Sequence, residues 1–239
     1  MSSFDLAILS VAIAAGGVAS IAGFGVGSLL TPLLTTAYGA KLAVAIVAVP
    51  HAIATAVRLW WLRHEIERAV FARFGLASAI GGLLGGFVFT RADNTALART
   101  LGALLILVGS AELVGVTKRI RFSRRWAWAA GAVSGLFGGM VGNQGGVRSA
   151  GLLAFDLEPR EFVATAAAIA LLVDAVRLPI YGWNDGARML DASRVVAIAT
   201  IGVIIGTFAG SQVLMRLPPQ VFRRTIGAVL VALGVWMLT

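Results

Sequence analysis

The sequence predicts an all-α integral membrane protein made of two inverted repeats. Each repeat is a glycine-broken, re-entrant helical element followed by three transmembrane helices. Three observations carry this expectation. The 239 residues are 59 % apolar and 13 % charged, where a soluble domain is about 45–50 % apolar and about 25 % charged. The apolar residues fall in runs that approach or exceed the roughly 20 needed to cross a bilayer as a helix. The second half of the chain repeats the first.

The same composition excludes several function classes as first readings. A soluble enzyme, a disordered chain and a nucleic-acid-binding domain are all too polar to match it. The net charge of +9 is not a DNA-binding patch on a wettable fold. Lys and Arg sit mainly in short gaps between apolar runs, as the positive-inside rule places them. With no Cys there is no disulfide, thiolate metal site or Cys nucleophile. Two His are too few for a His-rich metal site. No metal, cofactor or nucleic-acid partner is expected; the partners are the lipid bilayer and a small ligand, and a homo-oligomer is compatible with this reading.

In chain order the elements are 4–37, 41–62, 69–90, 96–116, 126–155, 161–183, 193–215 and 221–238. The first begins without a basic n-region, and its first charged side chain is Asp5. A cleaved signal peptide needs that basic start, so the segment reads as retained. Six elements are ordinary spans. The other two, 4–37 and 126–155, are too long for one straight crossing at about 1.5 Å per residue. Each contains a Gly-rich, polar interruption: Gly23-Phe24-Gly25-Val26-Gly27-Ser28 in the first and Gly142-Asn143-Gln144-Gly145-Gly146-Val147-Arg148 in the second.

A shift of 119 superimposes Gly23 on Gly142, Gly27 on Gly146 and Ala56-Val57-Arg58-Leu59 on Ala175-Val176-Arg177-Leu178. Shifts of 121 and 125 continue the match through Gly81/Gly202, Gly85/Gly206, Gly102/Gly227 and Gly109/Gly234. The offset grows in order, as loop insertions require. One membrane domain, 1–239, is therefore expected, with residues 1–117 as repeat one and 122–239 as repeat two.

Charge chooses the topology. If each broken element crosses once, Lys and Arg divide 10 to 7 between the two sides. If each enters and returns, the loops at 63–73, 118–125, 160 and 216–224 share a side, and the division is 12 to 5. The stronger bias makes that side cytoplasmic and puts both termini outside. The two units are then inverted with broken helices, the build of secondary transporters with a midplane site. The basic tract Lys118 to Arg125 reads as a cytoplasmic retention signal.

The candidate site follows from the breaks. Unwound backbone at membrane depth must be buried in protein or face a water-filled cavity. The helix after each break offers free N–H groups and a positive dipole end, which favour an anion. Gly25 and Gly27 allow close approach in the first break, where Ser28 and Thr31 add hydroxyls. Gly145 and Gly146 do so in the second, where Asn143 and Gln144 add amides and Arg148 a full charge. The plainer reading of the glycines is helix packing, and it is preferred for the runs at 81–86 and 202–210. The plainer reading of Arg148 is an ion pair with Asp174 or Glu112. Arg58 and Arg177 occupy matching positions near opposite faces, as anion-attracting vestibules or as snorkelling side chains. Asp174 precedes Arg177 by three residues and shares its helix face, as a salt-bridge partner or a proton site. His51 lies near mid-depth, where a buried imidazole either couples a proton or simply satisfies the core.

The string Gly23-Phe24-Gly25-Val26-Gly27-Ser28-Leu29-Leu30-Thr31-Pro32-Leu33 resembles the first signature of the sulfite exporter TauE/SafE family. Ser134-Gly135-Leu136-Phe137-Gly138-Gly139 through Gly145-Gly146 resembles its second copy, and the resemblance covers nearly the whole chain. It implies a permease for a small sulfur-containing anion, sulfite or an organosulfonate, in the inner (cytoplasmic) membrane. The chain departs from the pattern at Val26, where many members have glycine. It departs again at Asn143, Gln144, Arg148 and Gly151.

No enzyme motif is present: there is no Walker loop, no Gly-x-Ser-x-Gly and no His-Glu-x-x-His. An alternative is a membrane-embedded lipid-phosphate hydrolase of the undecaprenyl-diphosphate phosphatase type, which is similarly small and helical. Arg148-Ser149 matches part of its Ser-Arg-Ser segment, but its paired intramembrane glutamates are missing. A third alternative is an assembly factor or passive channel.

Overall fold

Glycine decides where the two long apolar segments stop being helical. At Gly23 and Gly142 the backbone turns left-handed, with φ of +75° and +71°, a conformation open to glycine and costly for other residues. Each residue closes the preceding helix by donating its N–H over 3.1 Å, Gly23 to the Ala19 carbonyl and Gly142 to the Gly138 carbonyl. These are left-handed C-caps.

The computed structural model describes residues 2–115, 124–210, 212 and 218–239. Among the described residues the regular structure is helical throughout. Helix α1 spans Ser3–Ala22 and starts on a reciprocal Ser2/Asp5 capping box. Helix α2 spans Val26–Leu62 and bends at Gly39, where φ is +73°. Helix α3 is Arg68–Arg91, with a wide turn at Phe71–Gly75. Helix α4 is Asn94–Val114, capped by the Asp93 side chain. Then come α5 (Arg124–Val141), α6 (Gly145–Leu152), α7 (Pro159–Asp191), α8 (Ser193–Ile205) and α9 (Pro219–Leu238).

Among the described residues six helices are long and apolar enough to cross a membrane: Ser3–Ala22, Val26–Glu65, Arg68–Arg91, Asn94–Val114, Pro159–Asp191 and Gln220–Leu238. The first half of the first broken element is thus span-length by itself. Trp126–Val141 and Ser193–Ala209 are shorter apolar helices. The end of the expected 193–215 span, the basic residues at 118–121 and Arg216 lie outside the described residues. One boundary is corrected: the span expected to stop at 183 stays helical to Asp191. The polar stretch from Asn184 reads as a loop, but Asp185 and Arg188 pair at 3.2 Å. That is the i,i+3 spacing that supports a helix as it leaves the apolar layer.

Helices in lipid gain little from hydrophobic exclusion and associate through close backbone approach at small residues. The glycine runs do this. A methyl at Gly81 or Gly85 would overlap the Ala132 or Leu136 carbonyl, and one at Gly135 or Gly139 the Ser78 or Gly82 carbonyl. These contacts join α3 to α5. Gly16 and Gly206 make the matching approach between α1 and the end of α8. Gly102 faces the Gly234 carbonyl and Gly109 the Gly227 carbonyl, each in both directions, so α4 and α9 run antiparallel. Helix α2 packs on α7.

Polar contacts tie the two ends of the bundle. At one end Arg160 meets Glu65 at 3.6 Å and Arg223 meets Glu112 at 2.7 Å. At the other Arg194 meets Asp5 at 2.7 Å, and the Lys41 N–H donates to Asn94 Oδ1 at 2.8 Å. Trp60, Trp61, Trp126 and Trp128 are exposed near the first end, and Trp236 near the second. Interfacial tryptophans occupy such positions in membrane proteins.

Candidate functional site

The two breaks touch. A methyl on Gly27 would overlap the Gly142 carbonyl, and one on Gly145 would overlap Phe24. Glycine at these positions lets the unwound segments cross at backbone contact. After each break a helix begins without a side-chain cap: α2 after Gly25 and α6 after Gln144. The first-turn N–H groups of such helices have no intrahelical partner and form a ready place for an anion.

A small cavity lies at the crossing. Its wall is Ala19, Gly23, Phe24, Gly25, Val26 and Gly27 from the first break, Gly142, Asn143, Gln144, Gly145 and Arg148 from the second, and His51 and Arg58 from α2. It offers about 10 Å³ to the centre of a water molecule, room for roughly one. Among the described residues no carboxylate is in the wall.

Two guanidiniums are. Arg148 is 3 % exposed. Its Nη2 donates to the Gly23 carbonyl at 2.9 Å, while its Nε and Nη1 are buried without a partner. Arg58 donates from Nη1 to the Ala19 carbonyl at 2.7 Å, and its Nε is buried and unpartnered. Neither arginine forms an ion pair among the described residues. Asn143 Nδ2 and Gln144 Nε2 are also buried donors without acceptors. Gln144 Oε1 is an unmet buried acceptor there too, but the five unmet donor atoms outnumber it, each at a cost of about 1–3 kcal/mol, so the wall favours a ligand rich in acceptor oxygens.

His51 links the wall to the residues behind it. Its side chain is 14 % exposed, and its Nδ1 lies 2.7 Å from Asp174 Oδ2. Asp174 is fully buried, and its Oδ1 accepts from Arg177 Nε at 2.9 Å and Nη2 at 2.7 Å. Arg177 Nη1 donates to the Gly138 carbonyl at 2.7 Å, and the Tyr181 hydroxyl to the Gly139 carbonyl at 2.6 Å.

The structure thus gathers Gly25, Gly27, Asn143, Gln144, Gly145, Arg148, His51 and Arg58 around one cavity. Ser28 and Thr31 are buried on α2, outside the wall, as is Gly146, which packs on Val108. Asp174 and Arg177 stand behind His51, paired with each other as their spacing implies. Arg148 is paired with neither Asp174 nor Glu112, since Arg177 holds the one and Arg223 the other. Arg58, placed by the sequence near a membrane face, turns inward to the first break. The reason is the Ala19 carbonyl, one turn before the C-cap, where a helix end attracts a cation.

Sequence reasoning missed Ala19, Phe24 and Tyr181. The signal for Ala19 was its register: it precedes Arg58 by the same interval as Gly138 precedes Arg177. Among the described residues no three His, Asp or Glu side chains gather where they would hold a metal ion.

No curated protein and no solved structure matches the chain. The sequence profile of the family described as Sulfite exporter TauE/SafE matches residues 8–237, nearly the whole length. The chain belongs to the sulfite exporter TauE/SafE family, and is a membrane transporter rather than an enzyme.

Proposed function

We propose that this protein is a secondary permease for a small sulfur-containing anion, sulfite or an organosulfonate, in the cytoplasmic membrane. The observation that carries the reading is the cavity at the crossing of the breaks. Among the described residues its wall has two guanidiniums, two uncapped helix starts and no carboxylate. In that reading the two breaks part to admit the anion, since the cavity as it stands has room for about one water, and the N–H groups around Gly25, Gly27 and Ser28 meet one side of it. Those of Gly145, Gly146 and Val147 meet the other, since the Arg148 N–H is already given to the Gln144 carbonyl at 2.9 Å. Asn143, Gln144 and the Arg148 and Arg58 guanidiniums orient its oxygens, and Thr31 supports the first helix start.

The family reading leaves no place for the lipid-phosphate hydrolase. Such chemistry would also need a carboxylate at the site, and Asp174 is held by Arg177 and His51.

Inverted architecture is part of the proposal, with units 1–117 and 122–239 and both termini outside. Helix pairing supports it: α1 packs on α8 as α5 packs on α3, and the equivalent helices α4 and α9 are antiparallel. The Arg160–Glu65 and Arg223–Glu112 contacts support re-entrant breaks, since each joins elements that a single crossing would put on opposite sides. Proton coupling is assigned to His51, with Asp174 and Arg177 holding its ring.

The test is flux in proteoliposomes under an imposed pH gradient, with sulfite, thiosulfate, taurine, isethionate, sulfoacetate, sulfate and lactate. Saturable flux of a sulfur anion that collapses with the gradient is expected. Absence of flux for every sulfur anion, from protein shown to be folded, would overturn the reading.

A further inference from the structure

The two repeats treat their matched arginines differently. Arg58 and Arg177 make the same backbone bond, to Ala19 and Gly138. Three residues before Arg177 stands Asp174, which takes two hydrogen bonds from it and cancels its charge. Three residues before Arg58 stands Thr55, fully buried, with its Oγ1 unpartnered. Register makes positions 55 and 174 equivalents. One arginine is therefore structural and neutralised, while the other keeps a free charge in the cavity wall.

That free charge does not stand alone. Arg148 lines the same cavity, is nine-tenths or more buried, and is also without an ion-pair partner among the described residues. The remaining side-chain donors, Asn143 Nδ2 and Gln144 Nε2, are neutral. His51, the other titratable group in the wall, has its Nδ1 on Asp174. Two fixed positive charges facing one small space repel each other, and a single negative charge offsets only one of them. In low dielectric that imbalance is strongly felt.

We infer that the cavity selects a compact dianion over a monoanion of the same shape. Thr55 sets this selectivity by leaving Arg58 unneutralised where the second repeat has an aspartate. The inference rests on the anion site proposed above. It goes further by fixing the charge of the ligand and naming a specificity-determining position that does not itself line the cavity.

Isosteric pairs that differ by one charge provide the test. Sulfite is compared with methanesulfinate, and sulfate with methanesulfonate, by titration calorimetry on purified protein in mildly alkaline buffer, where sulfite is fully ionised. The full-length wild type, Thr55→Asp and Thr55→Asn are measured. Wild type is expected to prefer the dianion of at least one pair by about tenfold or more. Thr55→Asn, which matches aspartate in size without its charge, should keep the preference. Thr55→Asp, which gives Arg58 the partner that Arg177 already has, should reduce it to within about threefold. If Thr55→Asp does not fold, Arg58→Gln removes the same charge and must collapse the same ratio. Equal binding of both members of each pair by wild type would overturn the dianion inference and leave the anion site standing. A preference that survives Thr55→Asp, or Arg58→Gln where that variant is used, would overturn the role of position 55. No binding of any of the four anions would overturn the anion site itself.

Discussion

Arg58 and Arg177 are 119 residues apart and form one bond in duplicate. Each donates from Nη1 over 2.7 Å to a helix-end carbonyl, of Ala19 and Gly138, and those residues are also 119 apart. Each carbonyl already accepts the N–H of the left-handed glycine that ends its helix. Both breaks are therefore locked from the following long helix by the same device. The two guanidiniums differ in their charged partner: Arg177 has an aspartate, and Arg58 has no ion pair among the described residues.

Stability should separate the pair. Arg177→Gln leaves Asp174 fully buried without its main counter-charge, and breaking such a pair costs about 3–5 kcal/mol. Arg58→Gln strands no carboxylate and loses one charge-assisted bond, about 1.5–3 kcal/mol. Thermal unfolding in detergent should show the larger loss for Arg177→Gln and a partial recovery in Arg177→Gln/Asp174→Asn. Equal destabilisation by the two single variants would contradict the asymmetry.

Much of this was legible in the chain and some was not. The register of 119 gave the duplicate arginines, and the clustered glycines gave the positions of both breaks. The i,i+3 spacing gave the Asp174–Arg177 pair. The inward turn of Arg58 was not legible, because a long side chain near a helix end can point to headgroups or to a neighbouring helix. Only the packing of α1 beside α2 decides it. The His51–Asp174 contact joins residues 123 apart. It depends on how α2 and α7 are rotated against each other, and helices apolar nearly all round carry little sequence signal for rotation. The helical extension to Asp191 was missed because a helix emerging into water is polar, as a loop is.

Glycine substitutions should split by location. Gly139→Ala places a methyl on the Gly82 carbonyl and should destabilise by about 1–3 kcal/mol through overpacking. Gly182→Ala meets nothing within 4 Å and removes a helix-weakening glycine. It should stabilise by about 0.5–1 kcal/mol. Unfolding midpoints in one detergent compare the two directly. A Gly139→Ala protein as stable as wild type would show that α3 and α5 do not meet at that residue.

His51 should separate coupling from binding. His51→Gln keeps a hydrogen-bonding side chain in the cavity wall beside Asp174 but cannot carry a proton near neutral pH. Counterflow exchange of the anion should persist in proteoliposomes, while accumulation driven by a pH gradient should be lost. Undiminished gradient-driven accumulation would remove His51 from the coupling path.

The most direct measurement is anion binding to the purified protein, sulfite titrated into wild type and into Arg148→Gln, with folding checked by thermal unfolding. Two of the three Arg148 guanidinium nitrogens are buried donors without partners at the crossing of the breaks. Wild type should bind saturably, and Arg148→Gln should bind at least about tenfold more weakly. Wild-type affinity in a folded Arg148→Gln protein would contradict the claim that the ligand sits between the two breaks.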